Sequence, residues 1–382
     1  MPPTVAPPRL ALACCGLGHV ARGNEIWALK LAEWLAAAGE PVELLGGGPV
    51  RTPAPYQALP LLRRGSPWLR GRGFLQAYAW EQRTFTWALR RHVRRHRHDL
   101  VHVADPQVAW WMHQASARGG PPVIYKDGLL LGPEWCRRFR HVQVLAPHYL
   151  ETAAAAGQDV SGWRVIPHAV DPERFCPGTV AVARRRFPGG PLPEGAFLVL
   201  AVGDLAAGSH KRLEWIASEL ARLAGPGAPH LLVVGNAQAE DLRRFEGLAR
   251  PALGARLHLR ANLPHAAMPE IYRAADALAH GALREPFGIV FLEAMATGLP
   301  VVAHSFAVTR WIVGDGGVTV DMEAPGALAA VLETWQARPA ARLALGGLAR
   351  ERVQRHFSPP QVIPAYRDWY VRLRAGREEA GR

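Results

Sequence analysis

Residues 284–305 read REPFGIVFLEAMATGLPVVAHS, and the fold class follows from this stretch. A helical run from about Phe287 to Thr297 stops at Gly298, and the apolar residues after it indicate a short buried strand. Gly288 stands where the helix begins, and a glycine there lets a ligand approach the backbone closely. The first N–H groups of a helix lack partners and carry partial positive charge, so this helix start suits a pyrophosphate.

Two glutamates, Glu285 and Glu293, flank seven residues of this stretch. A carboxylate just before the helix can accept hydrogen bonds from sugar hydroxyls, and one about two turns into the helix can hold a ribose diol. Taken singly, each glutamate is better explained as a solvated side chain, Glu285 as an acid at the helix start and Glu293 as an exposed helical residue. Taken together with the glycine and the strand, they predict a sugar-nucleotide site.

The rest of the chain alternates short apolar runs with amphipathic stretches, which predicts parallel strands joined by helices. The pattern starts with RLALACC at 9–15, breaks at the proline-rich 163–178, and restarts with FLVLAVGDL at 197–205. With 382 residues, the chain is long enough for two domains. Asn24 is predicted to be the N-cap of the first helix, and 268–281 to form one helix.

The composition favours anionic partners. The net charge is +13, from 45 basic and 32 acidic residues, which suits phosphates, acidic lipid surfaces or nucleic acid without choosing among them. The four cysteines have no metal-ligand spacing, so we expect a reduced cytosolic protein. The sequence has neither the layout of a signal peptide nor an apolar run of about 18 residues that would cross a membrane.

The segment 284–305 resembles the E-x7-E signature of retaining glycosyltransferases with the GT-B fold, particularly glycosyltransferase family 4. The resemblance implies an α/β protein of two Rossmann-like domains facing across a cleft. An acceptor-binding domain at 1–176 would precede a nucleotide-sugar-binding domain at 177–358, and a C-terminal helix at 359–382 would cross back to pack on the first domain. The implied reaction moves a hexose from a nucleoside diphosphate sugar to an acceptor hydroxyl, with retention. The acceptor is unidentified: a glycolipid, a glycan or another cell-envelope molecule.

The resemblance also assigns roles on the donor side. Glu285 would contact the hexose and Glu293 the ribose. The backbone between them would contact the phosphates, at Phe287, Gly288, Ile289 and Val290.

A second donor-side segment, AVGDLAAGSHKRLEWI at 201–216, resembles the loop that supplies a basic pair to the diphosphate. Lys211 fits the lysine of that pair. Asp204 stands where many family members carry arginine, so Arg212 or His210 is the expected source of the second positive charge. Without the resemblance, Lys211 and Arg212 would read as a solvated helix start.

In the first half, the loop GLGHVARGNE at 16–25 lacks the strict GxGxxG spacing, which disfavours a dinucleotide cofactor. By the resemblance, this loop lies near the diphosphate and the acceptor. We therefore expect Gly18 to bind the donor. We also expect His19 to be a catalytic residue, as are Glu285 and Lys211. A purely structural role for His19 is an equal alternative.

The acceptor side of the first half is predicted more loosely. Ala104 stands where family members often carry the second histidine of an HxH strand end, and His102 is explained equally well as a strand histidine. The acceptor-side candidates are Arg22, Asp105, Lys126 and Asp127. No DxD-like carboxylate cluster stands out, so we expect no metal and no cofactor.

The basic stretch 61–98 carries ten arginines with interspersed aromatic residues. It suits an anionic membrane surface, which predicts a cytoplasmic protein or one peripheral to the inner face of a membrane. The alternative is a solvated helix face whose aromatic side chains form core. No nucleic-acid-binding module accompanies the stretch, so nucleic acid is not expected. A GT-B sugar-nucleotide epimerase and a non-catalytic, basic surface-binding protein remain alternative functions.

Overall fold

The structure, a computed structural model, describes residues 7–20, 23–129 and 131–380. The chain forms two compact units. The first comprises the residues up to His168 together with those from Val362 onward, and the second comprises Ala169–Gln361. Residues 169–176, assigned to the first domain from the sequence, therefore lie in the second unit. Arg22, an acceptor-side candidate, lies outside the described residues.

In its described part, the first unit contains a seven-stranded parallel sheet with the strand order β3-β2-β1-β4-β5-β6-β7. Its strands are β1 (Leu10–Cys14), β2 (Val42–Gly46), β3 (Tyr56–Ala58), β4 (Leu100–Val103), β5 (Val123–Lys126), β6 (His141–Val144) and β7 (Arg164–Val165). The connecting helices are α1 (Gly23–Ala37), α2 (Phe74–His96), α3 (Pro106–Ser116), α4 (Pro133–Cys136) and α5 (Pro147–Ala155). Val101, Val103, Phe85 and Leu89 are among the side chains that build the core between the sheet and its helices.

The second unit contains a six-stranded parallel sheet with the strand order β10-β9-β8-β11-β12-β13. The strands are β8 (Leu198–Val202), β9 (His230–Gly235), β10 (Leu257–Ala261), β11 (Ala277–His280), β12 (Val301–His304) and β13 (Gly317–Val320). The helices are α6 (Val180–Arg185), α7 (Leu213–Ala221), α8 (Ala239–Leu253), α9 (Met268–Ala274), α10 (Ile289–Ala296), α11 (Ala307–Val313), α12 (Ala327–Ala337) and α13 (Pro339–His356). This is the strand order of a Rossmann fold, so the predicted α/β class is confirmed for both units.

The final helix, α14 (Pro359–Ala380), begins in the second unit, and most of it belongs to the first. The hydroxyl of Tyr366 accepts hydrogen bonds from the Trp27 indole at 3.1 Å and from the Gln143 amide at 2.7 Å. The hydroxyl of Tyr370 is hydrogen-bonded to His102 Nδ1 at 2.8 Å. His102 is fully buried, so it is a strand histidine that fixes this helix to the sheet.

Two local predictions were wrong. Asn24 lies within the first turn of α1 instead of capping it, and its side chain accepts a hydrogen bond from Lys126. The predicted helix at 268–281 ends at Ala274, and Ala277–His280 form the buried central strand β11. The sequence ALAH has little strand propensity, so burial between β8 and β12 decides its conformation.

Candidate functional site

The two central strands of the second sheet, β8 and β11, place the main candidates. The strand order reverses between them, and open α/β sheets bind ligands beyond the carboxyl ends of the strands at such a point. The loop that carries Lys211 follows β8, and the loop that carries Glu285 follows β11. Gly203, just beyond β8, leaves room for Lys211, because a Cβ there would lie 2.7 Å from Lys211 Cγ.

Lys211, Glu285 and His280 form one hydrogen-bonded cluster at these strand ends. Lys211 Nζ donates to Glu285 Oε2 at 2.5 Å, and His280 Nε2 lies 3.0 Å from the same oxygen. His280 is fully buried and Glu285 nearly so, whereas the Lys211 side chain is 17% exposed. The lysine therefore presents its charge at the surface of the cluster while the histidine supports the carboxylate from inside.

The electrostatics keep Glu285 ionised. Burial opposes its charge, but the hydrogen bond from His280 and the positive charge of Lys211 outweigh burial and lower the pKa of Glu285 to about 2. Burial lowers the pKa of His280 below its ordinary value, although its hydrogen bond to Glu285 acts in the opposite direction. The cluster at neutral pH is therefore a carboxylate that accepts hydrogen bonds from a neutral imidazole and an ammonium group.

Helix α10 begins directly after this cluster. Its N-cap, Gly288, has φ +82°, and a Cβ there would lie 2.6 Å from the Phe291 ring. Phe287 is buried, whereas Ile289 and Val290 are partly exposed. The predicted helix start is thus where the sequence placed it, and the first N–H groups of the helix lie at residues 289 and 290.

Glu293 lies in the same helix and is also buried. The Tyr272 hydroxyl donates to Glu293 Oε2 at 2.8 Å, and His265 Nε2 lies 3.3 Å from Oε1. Tyr272 is buried on α9, while the His265 side chain is 40% exposed. One carboxylate oxygen is thereby fixed from inside the unit, and the other faces a solvent-accessible side chain.

Of the two alternatives for the second positive charge, the structure brings His210 toward Glu285 and turns Arg212 elsewhere. His210 Nε2 lies 3.9 Å from Glu285 Oε2, and its side chain is largely exposed. The Arg212 guanidinium donates to the Met322 carbonyl at 3.0 Å and lies over the Trp215 ring. Asp204 is exposed and accepts a hydrogen bond from the backbone of Ala206.

In the first unit, the loop after β1 holds Gly18 and His19. Gly18 has φ +92°, and a Cβ there would lie 2.4 Å from the Gly48 carbonyl carbon, so glycine is needed for this close approach. His19 Nε2 lies 2.9 Å from Glu81 Oε1, and the Arg64 guanidinium holds the other oxygen of Glu81 at 2.6 Å. The ion pair of Arg64 and Glu81 therefore fixes the position of His19. His19 also lines a cavity of about 590 Å³ in this unit.

The remaining acceptor-side candidates lie at the ends of β4 and β5. Asp105 is buried and accepts hydrogen bonds from the Cys15 backbone at 2.7 Å and the Tyr78 hydroxyl at 3.2 Å. Burial raises the pKa of Asp105 to about 6 and lowers the pKa of Lys126 to about 8. Asp127 is largely buried, which raises the pKa of its carboxyl.

Sequence reasoning missed His280, Tyr272 and His265. His280 was missed because the sequence ALAHG resembles the end of a helix. In the structure it ends the central strand β11, and ligands of open α/β sheets bind at such strand ends. Tyr272 and His265 had no signal of their own, because their role depends on how α9 packs against α10. The structure thus adds His280 beside Glu285, and Tyr272 and His265 beside Glu293.

Comparison with known proteins identifies the family of both halves. Residues 21–174 match the family model described as "Glycosyltransferase Family 4", and residues 196–337 match the one described as "Glycosyl transferases group 1". A D-inositol 3-phosphate glycosyltransferase of Segniliparus rotundus is 34% identical over 54% of this chain and 44% of its own length. A GDP-mannose-dependent alpha-mannosyltransferase of Mycobacterium tuberculosis is 29% identical over 54% of this chain and 55% of its own. The chain thus spans about half the length of these curated relatives.

Solved structures match the fold over nearly the whole chain. Sucrose-phosphate synthase from Thermosynechococcus elongatus has a TM-score of 0.80 at 24% identity, covering 96% of this chain and 99% of that one. Anabaena HepE in complex with UDP and glucose has a TM-score of 0.74 at 17% identity, covering 94% and 98%. With a family 4 domain in its first half and a group 1 domain in its second, the chain belongs to the GT-B glycosyltransferases.

Proposed function

We propose that this enzyme transfers a hexose from a nucleoside diphosphate sugar to an acceptor hydroxyl, with retention at the anomeric carbon. The observation that carries the proposal is the cluster of Lys211, Glu285 and His280 at the ends of β8 and β11, directly before the start of α10. The cluster combines a positive charge with an ionised carboxylate directly before a helix N-terminus. The E-x7-E resemblance supports retention.

The leaving group of such a reaction is a nucleoside diphosphate, so negative charge grows as the bond to the sugar breaks. Lys211 would stabilise that charge together with the first N–H groups of α10. His210, exposed beside Glu285, would donate a hydrogen bond to the diphosphate in place of the family's arginine. Burial and the charge of Lys211 lower the pKa of His210, so it would add a positive charge only once the bound diphosphate raises that pKa. In this assignment Arg212 supports the loop through the Met322 carbonyl and does not touch the diphosphate.

Glu285 would serve as a hydrogen-bond acceptor for the hexose hydroxyls. With a pKa of about 2, it holds no proton to donate at neutral pH, so general-acid catalysis by this group is disfavoured. Glu293 would accept hydrogen bonds from the ribose, with Tyr272 fixing its orientation.

We expect transfer without a metal ion, because the proposed positive charges come from protein groups. The measurement is the transfer rate with and without added Mg²⁺ or Mn²⁺. A rate that rises steeply with either ion would contradict this expectation.

A thermal-shift screen against UDP, GDP, ADP and their hexose conjugates tests the donor site. A ligand that binds the native state alone raises the melting temperature, and about 100 times its dissociation constant adds roughly 2.7 kcal/mol of stability. We expect one nucleotide to stabilise the protein, with a smaller effect in Glu293→Ala. No response to any of these ligands in a folded sample would refute the donor site.

The reaction class is tested by the products formed from the stabilising donor. Slow release of the free sugar, with its first-formed anomer matching the donor by NMR, supports a retaining transferase. An epimeric sugar nucleotide would instead support the epimerase alternative. The inverted anomer would overturn retention while leaving glycosyl transfer in place.

For the acceptor we propose a polyol or glycan headgroup that carries phosphate. The cavity beside His19 is lined in part by Arg63, Arg64 and Ser66, and Arg63 is exposed there. One relative is named for D-inositol 3-phosphate, which is such a compound. Transfer to inositol 3-phosphate but not to inositol, reduced in Arg63→Ala, would support this class. Equal use of both acceptors would contradict it.

We further propose that helix α2 attaches the enzyme to an anionic membrane surface. One face of the helix is exposed and carries Trp87, Arg90, Arg91, Arg94 and Arg95, and Trp68 precedes the helix with 86% of its surface exposed. Phe74 and Trp80 are exposed as well, whereas Phe85 is in the core. Within the described residues, no helix has the length and apolar character needed to cross a bilayer.

Sedimentation with vesicles tests this surface. We expect binding to phosphatidylglycerol-containing vesicles, little binding to phosphatidylcholine alone, and weaker binding at high salt. Arg90→Gln/Arg94→Gln should lose most of the binding, and the matched control Arg186→Gln/Arg338→Gln should keep it. Equal loss in both double variants would indicate attraction by net charge alone and refute a defined surface.

A further inference from the structure

Three potential metal ligands from two elements meet in the first unit. Glu43 lies on β2, His92 in the last part of α2, and His98 just beyond that helix. Glu43 Oε2 lies 3.0 Å from His92 Nε2 and 2.9 Å from His98 Nε2. Among the residues that the structure describes, this is the group of three such side chains whose ligand atoms converge, all within 4.8 Å of one another.

The convergence depends on how α2 ends. Residues six apart do not share a face of a helix, so His92 and His98 could not meet if the helix continued. Arg97 ends it in the left-handed conformation with φ 52°, which is uncommon for a residue other than glycine. The backbone N–H of His98 then donates to the Val93 carbonyl, and the side chain of His98 turns to Glu43 with 2% of its surface exposed.

Two imidazoles and one carboxylate form a common ligand set for zinc. With bonds of about 2.0–2.2 Å, neighbouring ligand atoms of a tetrahedral site lie roughly 3.3–3.5 Å apart. The two distances from Glu43 Oε2 to the histidine nitrogens are a few tenths of an ångström shorter, so a small outward movement of the carboxylate would admit the ion. The Glu43 side chain is 25% exposed, which leaves an approach for a water molecule as the fourth ligand.

We propose that Glu43, His92 and His98 bind one divalent transition-metal ion, of which zinc fits best. Imidazole ligands favour such ions over Mg²⁺ and Ca²⁺, which prefer oxygen. Helical periodicity places Arg90 and Arg94 on roughly the opposite side of α2 from His92, whereas Arg95, three residues after His92, lies on the same side. The ion would fix the end of α2 to the sheet, and this role does not depend on the proposed transferase reaction.

The alternative is a hydrogen-bonded cluster without metal. The test uses the untagged full chain, titrated with Zn²⁺ against a chromophoric chelator and with Co²⁺ followed by visible absorption. We expect one equivalent of Zn²⁺ to bind and raise the melting temperature, Co²⁺ to give the intense bands of four-coordinate cobalt, and Mg²⁺ to have no effect. Absence of a stoichiometric Zn²⁺ site would overturn the proposal.

Variants locate the site. His92→Ala should abolish the cobalt bands, and Glu43→Gln should weaken zinc binding at least about tenfold. His98 is buried, so the more exposed His92 is the better position for a variant that stays folded. The control is His258→Ala, which disrupts the stacked pair His230–His258 in the second unit. Binding that survives in folded His92→Ala, or that disappears in His258→Ala, would place the metal elsewhere and refute the proposal.

Discussion

Lys211 and Glu285 form an ion pair with an Nζ–Oε2 distance of 2.5 Å, although they lie 74 residues apart. The pair joins the loop after β8 to the loop after β11, so it exists only when the two central strands lie side by side. His280 holds the same carboxylate oxygen from inside the unit. A substitution at any one of these three residues is therefore expected to alter the hydrogen bonding of the other two.

Lys211→Ala should lower kcat by about 10²–10³-fold, because it removes a positive charge proposed to stabilise the departing diphosphate. Lys211→Arg keeps the charge and serves as the matched control, with a smaller loss. Steady-state kinetics with the donor found in the thermal screen measure both variants. An unchanged kcat in Lys211→Ala would exclude this lysine from the chemistry.

The same substitution should also destabilise the second unit. Removing one partner of a buried ion pair costs about 3–5 kcal/mol, and we expect the low end because the Lys211 side chain is partly exposed. Chemical denaturation of Lys211→Ala and of Glu285→Gln/Lys211→Ala separates the loss of the ion pair from the cost of leaving a buried carboxylate unpaired. The double variant, which leaves no unpaired carboxylate, should be more stable than the single variant.

Glu285→Gln and Glu293→Gln should affect different parts of the donor. Glu285→Gln should weaken the response to the sugar nucleotide and leave the response to the free nucleoside diphosphate unchanged, because Glu285 is assigned to the hexose. Glu293→Gln should weaken both, because it is assigned to the ribose. Thermal shifts of each variant with the two ligands are the measurement, and identical patterns would contradict the division of roles.

Gly18→Ala should destabilise the first unit by about 1–3 kcal/mol. The residue has φ +92°, and the added Cβ would lie 2.4 Å from the backbone of Gly48. Gly39→Ala is the control, because Gly39 has φ +78° but no atom within 4 Å of the added Cβ. Its expected cost is about 1 kcal/mol from the backbone conformation alone. Equal losses in the two variants would show that the contact with Gly48 is unimportant.

Stability should fall in acid partly through His102. Burial lowers its pKa to about 3 in the folded state, against about 6.5 when unfolded. Below pH 6.5 the unfolded chain binds a proton that the folded chain does not. The contribution of His102 to the free energy of unfolding, fully present above pH 6.5, is therefore lost as the pH falls toward 3. At pH 5 the expected loss is about 2 kcal/mol.

Denaturation of the protein and of His102→Gln at pH 7 and pH 5 measures this effect. The variant should lose less stability on acidification, because glutamine has no proton to bind. His356→Gln, at an exposed position, should behave like the unchanged protein. If His102→Gln shows the same acid dependence as the protein, other groups account for it.

The candidate site of the second half could be predicted well because its sequence signal is local. The spacing of Glu285 and Glu293, the glycine at 288 and the strand that follows are adjacent in the sequence, and the helix begins where they predict. His280 could not be found this way, because a strand reading ALAH owes its conformation to β8 and β12 on either side. The direction of Arg212 was equally inaccessible, because it depends on the Met322 carbonyl 110 residues later.

The first half was harder to predict for a similar reason. His102 looked like either a site residue or a strand histidine, and the choice rests on Tyr370, which is 268 residues away. The aromatic residues of 61–98 divide between core and surface according to their position around α2, and the sequence alone was compatible with either location.

The placement of α14 has a consequence for biosynthesis. Its tyrosines fill the interior beside Trp27, His102 and Gln143, yet the ribosome makes them after the entire second unit. The first unit to leave the ribosome is therefore the last to be completed. Until α14 emerges, the nascent chain exposes part of an apolar interior, and this interval is when it most needs a chaperone.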